Sequence, residues 1–234
     1  MRLFFIRHGQ SENNALWART QSNVDRVSDP QLTVIGKKQV EQTALFLKKC
    51  LKTSSSIVYE DGDIHIFCSL MDRAIQSALI IANRLSLPLH AHLDIHENGG
   101  LYLENPITTE RTGEPGRSLD DLEITYPNLI LPEGINVSGW WNRPYEEREI
   151  RRIRAKKVLS DITHRFGNSN ATVIFISHGG FYNYFLRSVL ELRDDTEVWF
   201  DLFNAAITLF EFSDNFKNLV YCNRFDFIPE ELVT

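Results

Sequence analysis

Four short, continuously apolar runs separated by stretches of helical spacing constrain the fold of this chain more than any other feature. They cover residues 3–6, 64–68, 172–176 and 206–212. A strand with one wet face alternates apolar and polar residues. A strand covered on both faces does not, so these runs read as core strands of a parallel sheet. Between them, residues 32–51 place Val40, Ala44, Leu45, Leu47 and Leu51 near helical spacing. Residues 69–85, with Ser69 as N-cap, and residues 145–166 and 181–192 complete the helical set. Strands alternating with helices of this length predict an α/β fold: a three-layer sandwich whose mostly parallel central sheet is flanked by helices.

Residues 98–143 break this rhythm. They are rich in Gly and Pro, as in Gly113-Glu114-Pro115-Gly116, and show little periodicity. A long irregular stretch inside a compact domain is usually functional, so it reads as an inserted cap forming part of a substrate pocket. The expected organisation is one domain over residues 1–234 carrying this insertion. At 234 residues and 43% hydrophobic, the chain has ample material for a core.

Charge and cysteine content narrow the function classes. With 25 Lys+Arg against 31 Asp+Glu the formal net charge is -6, which argues against nucleic acid or an anionic membrane as the partner. The basic run Arg148, Arg151, Arg152, Arg154, Lys156, Lys157 then reads as a solvated helix face. No stretch approaches the ~20 apolar residues of a membrane span. Three widely spaced cysteines, Cys50, Cys68 and Cys222, suit reduced thiols, and the opening residues read as a buried strand rather than a signal peptide. The expectation is a cytoplasmic protein, in which the sequons at Asn136 and Asn170 are chance.

The placement of Arg and His carries the chemistry. Ligands of open α/β sheets bind beyond the carboxyl ends of the strands. The first run ends in Arg7-His8-Gly9, the second leads through Ser69 to Arg73, and the third ends in Ser177-His178-Gly179-Gly180. Two guanidiniums meeting two imidazoles form a site for a dianionic oxygen cluster, because Arg offers paired donors matched to phosphate. Neighbouring cations depress a histidine pKa, and a neutral imidazole is a nucleophile toward phosphorus.

The motifs Arg7-His8-Gly9-Gln10-Ser11 with Asn14, Leu32-Thr33-x-x-Gly36-x-x-Gln39, Ser69-Leu70-x-x-Arg73-Ala74-x-Gln76-Ser77-Ala78, Glu97-Asn98-Gly99-Gly100 and Ser177-His178-Gly179 occur in this order. As a set they resemble the histidine phosphatase (phosphoglycerate mutase-like) superfamily. The resemblance implies that His8 is the nucleophile that becomes phosphohistidine. It implies that Arg7, Arg73 and His178 clamp the phosphate, with Asn14 and Gly179 at further phosphate-contacting positions. Glu97 then resembles the general acid, for which Asp94 and Glu104 are nearby competitors.

The family contains both mutases and phosphatases. The stretch His96-Glu97-Asn98-Gly99-Gly100-Leu101 lacks the Arg and His-Tyr of the mutase pattern, and basic residues are sparse in the insertion. Both points favour hydrolysis of a phosphomonoester over phosphoglycerate mutase-type transfer or non-catalytic binding of a phospho-ligand. The expected substrate is a small phosphorylated metabolite or a phosphorylated side chain. Arg117, by charge, and Trp140 with Trp141, by stacking, are candidates to contact the leaving group, while the Trp pair could instead fasten the insertion to the body. His90, His92, His96 and Glu97 show no metalloenzyme spacing, so neither metal nor organic cofactor is expected. A homodimer is left open.

Overall fold

Along the first strand, Phe4 and Ile6 enter one hydrophobic cluster and Leu3 and Phe5 enter another, which is why the run carries no polar alternation. The computed structural model describes residues 1–53, 64–213 and 216–234. In chain order the elements are β1 (Arg2–Arg7), α1 (Glu12–Thr20), α2 (Val34–Thr53), β2 (Ile64–Cys68), α3 (Asp72–Leu85), β3 (Leu89–Ala91), β4 (Tyr102–Glu104), β5 (Arg111–Gly113), α4 (Leu119–Thr125), β6 (Leu129–Ile130), α5 (Arg148–Phe166), β7 (Thr172–Ser177), α6 (Gly179–Val189), β8 (Ile207–Ser213) and β9 (Phe216–Arg224).

The main sheet has the order β6-β3-β2-β7-β1-β8-β9. β1, β7, β2, β3 and β6 run parallel to their neighbours, whereas β1–β8 and β8–β9 are antiparallel. The sheet is therefore mostly parallel, as expected, but the run at 206–212 is not one of its parallel members. A continuous apolar run reports burial on both faces and carries no information about direction.

Helices α2 and α3 cover one face, where Val40, Ala44, Leu47, Ala74, Ile75, Ala78 and Ile81 pack with Phe4, Ile6, Ile66, Ile174 and Ile176. Helices α5 and α6 cover the other with Ala155, Val158, Ile162, Phe181, Tyr182 and Phe185. Phe5 is fully buried there among Phe175, Phe181, Tyr182 and Phe185, with ring centroids 5.2–6.4 Å away. Truncating such a side chain to alanine costs about 3–5 kcal/mol.

Two local expectations are corrected. Ser69 is not the cap of α3: Met71 occupies that position, and Ser69 Oγ accepts from the Met71 amide at 3.2 Å. The segment 98–143 is also more ordered than its composition implied. It holds the β4–β5 hairpin and the helix α4, capped by Ser118, and β6 extends the main sheet through β3. These strands are only two or three residues long, below what periodicity can register.

Candidate active site

The carboxyl ends of the parallel strands share one edge, and there β1 hands over to His8 and β7 to His178. The loop after β1 is strapped down by the other motifs. Gln39 Oε1 accepts from the Gln10 amide at 2.8 Å, Ser77 Oγ accepts from the Gly9 amide at 3.1 Å, and Gln76 Oε1 accepts from the Leu32 amide at 2.9 Å. A Cβ on Gly36 would collide with the Gln10 carbonyl oxygen, so this close approach requires glycine there. Motifs that look unrelated in sequence thus serve one purpose, the placement of residues 8–11.

His8 is 3% exposed. Its Nδ1 lies 2.7 Å from the Gly9 carbonyl oxygen, and its Nε2 lies 3.2 Å from Arg73 Nε. A carbonyl only accepts and a guanidinium only donates. Both contacts are satisfied by one tautomer, with the proton on Nδ1 and the lone pair on Nε2. Burial holds the His8 pKa well below the usual value, and the charges of Arg73 and Arg7 lower it further.

Arg7 donates from Nη1 to the Leu202 carbonyl, while its Nε is buried without a hydrogen-bond partner among the described residues. Arg73 is buried and pairs loosely with Asp29, Nη1 to Oδ1 at 3.7 Å, with no hydrogen bond to that nitrogen. Burial lowers the pKa of both arginines. His178 is fully buried at the N-cap of α6, its ring centroid 5.1 Å from that of His8, and among the described residues neither ring nitrogen has a hydrogen-bond partner. Its pKa too is held well below the usual value, by burial first and then by Arg73 and His8. Buried donors and acceptors left open at one point are costly. Here they converge on the place where an oxyanion would satisfy the donors.

Glu97 follows β3 and a single 3-10 turn. Its carboxylate accepts from the amides of Asn98 (2.7 Å), Phe181 (2.9 Å) and Gly180 (3.1 Å), which fixes it at the start of α6. Asn14 uses Oδ1 to accept from the Ser11 amide and hydroxyl and from Asn204 Nδ2. None of these contacts uses its Nδ2. A Cβ on Gly179 would sit 3.5 Å from Arg7 Nε. A cavity of about 330 Å³ opens over this group, lined by Arg7, His8, Asn14, Arg73 and Glu97 together with Arg26, Asn98 and Tyr102.

A family model describing the histidine phosphatase superfamily (branch 1) matches residues 3–224. The chain belongs to this superfamily. Among solved structures it is similar to Entamoeba histolytica phosphoserine phosphatase. The complex of that protein with 3-phosphoglyceric acid has 22% identity, a TM-score of 0.61, and coverage of 97% of this chain and 99% of that one. A histidine-to-alanine mutant bound to phosphoserine matches at 20% identity with the same TM-score and coverage. Mycobacterial glucosyl-3-phosphoglycerate phosphatase matches at 16% identity and TM-score 0.58, over 95% of this chain and 98% of that one. No curated protein matches the chain by sequence. The phosphoglycerate mutase-like fold expected from the motifs is therefore the fold observed.

Two candidates in the insertion of this superfamily member are not brought to the cavity. Arg117 makes a two-pronged pair with Asp72, Nε–Oδ1 and Nη2–Oδ2 both 2.7 Å, and its Nη1 holds Asp121 Oδ2 at 2.7 Å. All three of its nitrogens are engaged, so its charge is spent on fastening the insertion to α3. Trp140 is 2% exposed and packs with Trp141 (3%) in the core, where Trp141 meets the His96 ring edge-on at 4.6 Å. The Trp pair fastens the insertion to the body. The basic helix face is corrected at Arg154, which is buried, binds both oxygens of Glu146 at 2.6 and 2.7 Å, and donates to the carbonyls of Asp94 and His96. Of the competitors for the acid role, Asp94 pairs with Lys157 and Glu104 with Arg111. Neither lines the cavity. His90, His92 and His96 do not form a metal site: among the described residues no three His, Cys, Asp or Glu are grouped to hold an ion.

Sequence reasoning missed Arg26, Asp29 and Tyr102. Asp29 lies behind Arg73, accepts from the Asp72 amide at 3.0 Å, and leaves a buried Oδ2 without a hydrogen-bond partner among the described residues. Burial pushes its pKa up to about 7, against the opposing pull of Arg73. The sequence signal that could have found it is its position just before Pro30 and the Leu32-Thr33 motif.

Proposed function

We propose that the chain is a phosphatase that hydrolyses a small phosphomonoester through a phosphohistidine on His8. The observation that carries this reading is the single tautomer of His8, whose bare Nε2 lies beside Arg73 Nε at a cavity edge. The Nε2 lone pair forms the N–P bond as the P–O bond to the leaving group breaks. Glu97 in its acid form gives its proton to the departing oxygen. The phosphorylated ring is cationic, and its Nδ1–H is received by the Gly9 carbonyl. Arg7, Arg73 and His178 take the charge on the equatorial oxygens, and Asn14 Nδ2 and the Gly179 region complete the cradle. In the second half a water attacks phosphorus while Glu97 takes its proton. The N–P bond breaks, inorganic phosphate leaves, and His8 is restored neutral. The arginines supply the charge stabilisation, so the reaction as written needs no metal.

The relatives named for phosphoserine and glucosyl-3-phosphoglycerate support a small phosphorylated metabolite as substrate class. The participation of β6 in the main sheet supports reading residues 1–234 as one domain with the insertion built in. The free cysteines among the described residues support a reducing compartment such as the cytoplasm. The test is phosphate release from aryl, sugar and hydroxy-acid phosphates in the presence of chelator, wild type beside His8→Ala. Release that survives chelator and vanishes in the variant, with phosphate trapped on His8 after acid-free quenching, is expected. Release unaffected by His8→Ala would overturn the reading.

A further inference from the structure

Arg26 stands at the same cavity as the phosphate cluster, yet it takes no part in it. It comes from the loop between α1 and α2, and it is held by a neutral partner. Nη1 donates to the Tyr102 hydroxyl at 3.0 Å, and the guanidinium carbon lies 4.6 Å from the centre of the Tyr102 ring. Tyr102 is in turn braced edge-on by Tyr145, with centroids 4.8 Å apart. Among the described residues Arg26 has no carboxylate partner, and its Nε is buried with no hydrogen bond. It lies close enough to Arg73 to help lower that residue's pKa. The one acid lining the cavity, Glu97, is turned onto three backbone amides.

A guanidinium with a bare, buried donor and no counter-charge beside a cationic cluster is costly unless an anion arrives to meet it. The phosphate being transferred already faces Arg7 and Arg73. Arg26 therefore answers to a second negative group on the same molecule, on the leaving-group side. We infer that Arg26 is a specificity-determining residue that receives a carboxylate on the leaving group, so that the substrate class is a phosphorylated carboxylic acid. A single guanidinium balances one unit of charge, which matches a carboxylate rather than a second phosphate. The fork of Nε and a terminal nitrogen matches its two oxygens. Asn98, whose side-chain oxygen is also buried without a partner at this cavity, is placed to meet a hydroxyl or ammonium beside that carboxylate.

This inference rests on the phosphatase reading, and the experiment separates the two. Wild type and Arg26→Met are assayed on matched substrates: 3-phosphoglycerate against glycerol 3-phosphate, phosphoserine against phosphoethanolamine, and a hexose bisphosphate against the monophosphate. Turnover of any of them that depends on His8 sustains the phosphatase reading alone. The expected result is a wild-type kcat/KM at least tenfold higher for the carboxylated member of the first two pairs, carried by KM, with that ratio collapsing toward one in Arg26→Met and no such preference for the bisphosphate in the third. Binding of 3-phosphoglycerate to His8→Ala should weaken by a similar factor when Arg26→Met is added, measured by calorimetry. A wild type that shows no preference for the carboxylated member overturns the inference. So does a variant in which both members fall together with the ratio kept, or a preference for the bisphosphate over every carboxylate.

Discussion

Arg73 Nε donates to His8 Nε2 at 3.2 Å, and the same guanidinium faces Asp29 through Nη1. The hydrogen bond reports that Nε2 is bare, and the charge keeps it so. In the proposed reaction, removing the side chain takes away a preorganised donor to the transferring phosphoryl group together with the group that holds His8. Arg73→Ala is expected to lower kcat by about 10²–10³. Arg73→Lys restores the charge but not the Nε donor, and should recover little of it. Steady-state kinetics on a common phosphomonoester decide this. An Arg73→Lys enzyme near wild-type activity would show that charge alone suffices.

The depressed His8 and His178 pKa values have a sign that can be checked. Both folded-state values lie well below the ordinary 6.5, so each ring is neutral in the native protein down through mildly acidic pH. Histidine ring resonances in NMR should show no titration of these two near 6.5. In Arg73→Ala, one of the lowering charges is gone, and the His8 titration should move up toward the ordinary value. Stability should fall as pH drops below about 6.5, because the unfolded chain then binds protons that the native state refuses.

Asp29 acts in the opposite direction. Its folded pKa of about 7 lies above the ordinary aspartate value of 3.8. Between these values the native state keeps a proton that the unfolded state has released. Native stability attributable to this group is therefore complete below pH about 4, is lost as pH rises to about 7, and is flat beyond. The three-unit gap sets an upper bound of about 4 kcal/mol. Comparing Asp29→Asn with wild type cancels the histidines. The variant should gain relative stability steadily from pH 4 to 7 in urea titrations, and parallel curves for the two proteins would refute the assignment.

The strand ends were legible because they are local: Arg7-His8 and Ser177-His178 sit directly after apolar runs whose burial the residue types announce. The direction of β8 was not legible, since burial on both faces is the same for either orientation. Arg117 and Arg154 were misread for a different reason. Their partners include Asp72, 45 residues away, and the carbonyl of His96, 58 residues away, and nothing at either end marks the pair. Arg26 and Asp29 occupy a loop without periodicity, so their proximity to the cavity comes only from the path that α2 and α3 impose.

Arg154 ties the start of α5 to the segment that leads into Glu97. It is 6% exposed, forms a paired contact with Glu146, and its Nη1 donates to the carbonyls of Asp94 and His96, just ahead of Glu97. Arg154→Met leaves buried Glu146 with only the distant Arg151 guanidinium, Nε to Oε2 at 4.0 Å, and a loss of about 3–5 kcal/mol is expected. Adding Glu146→Leu removes the stranded charge and should restore most of the stability. Activity should stay low in the double variant, because the carbonyls that set the Glu97 loop still lack their donor. Recovery of kcat along with stability would show that Arg154 is structural only.

Gly180 gives the sharpest test of Glu97. A Cβ there would run into Glu97 Oε1 and Asn98 Nδ2, which are ends of side chains that can swing away. Alanine within a helix is also favoured over glycine, by up to about 1 kcal/mol. Gly180→Ala should therefore keep the melting temperature close to that of wild type while pushing the carboxyl off the Gly180 and Phe181 amides. A displaced general acid costs about 10²–10⁴ in rate, but only where the leaving oxygen needs a proton. The loss should be large for an alkyl phosphate and small for para-nitrophenyl phosphate, whose leaving group departs unaided. Single-turnover phosphorylation of His8 with the two substrates makes the comparison direct. Equal losses on both would remove Glu97 from the acid role and leave it as a cap on α6.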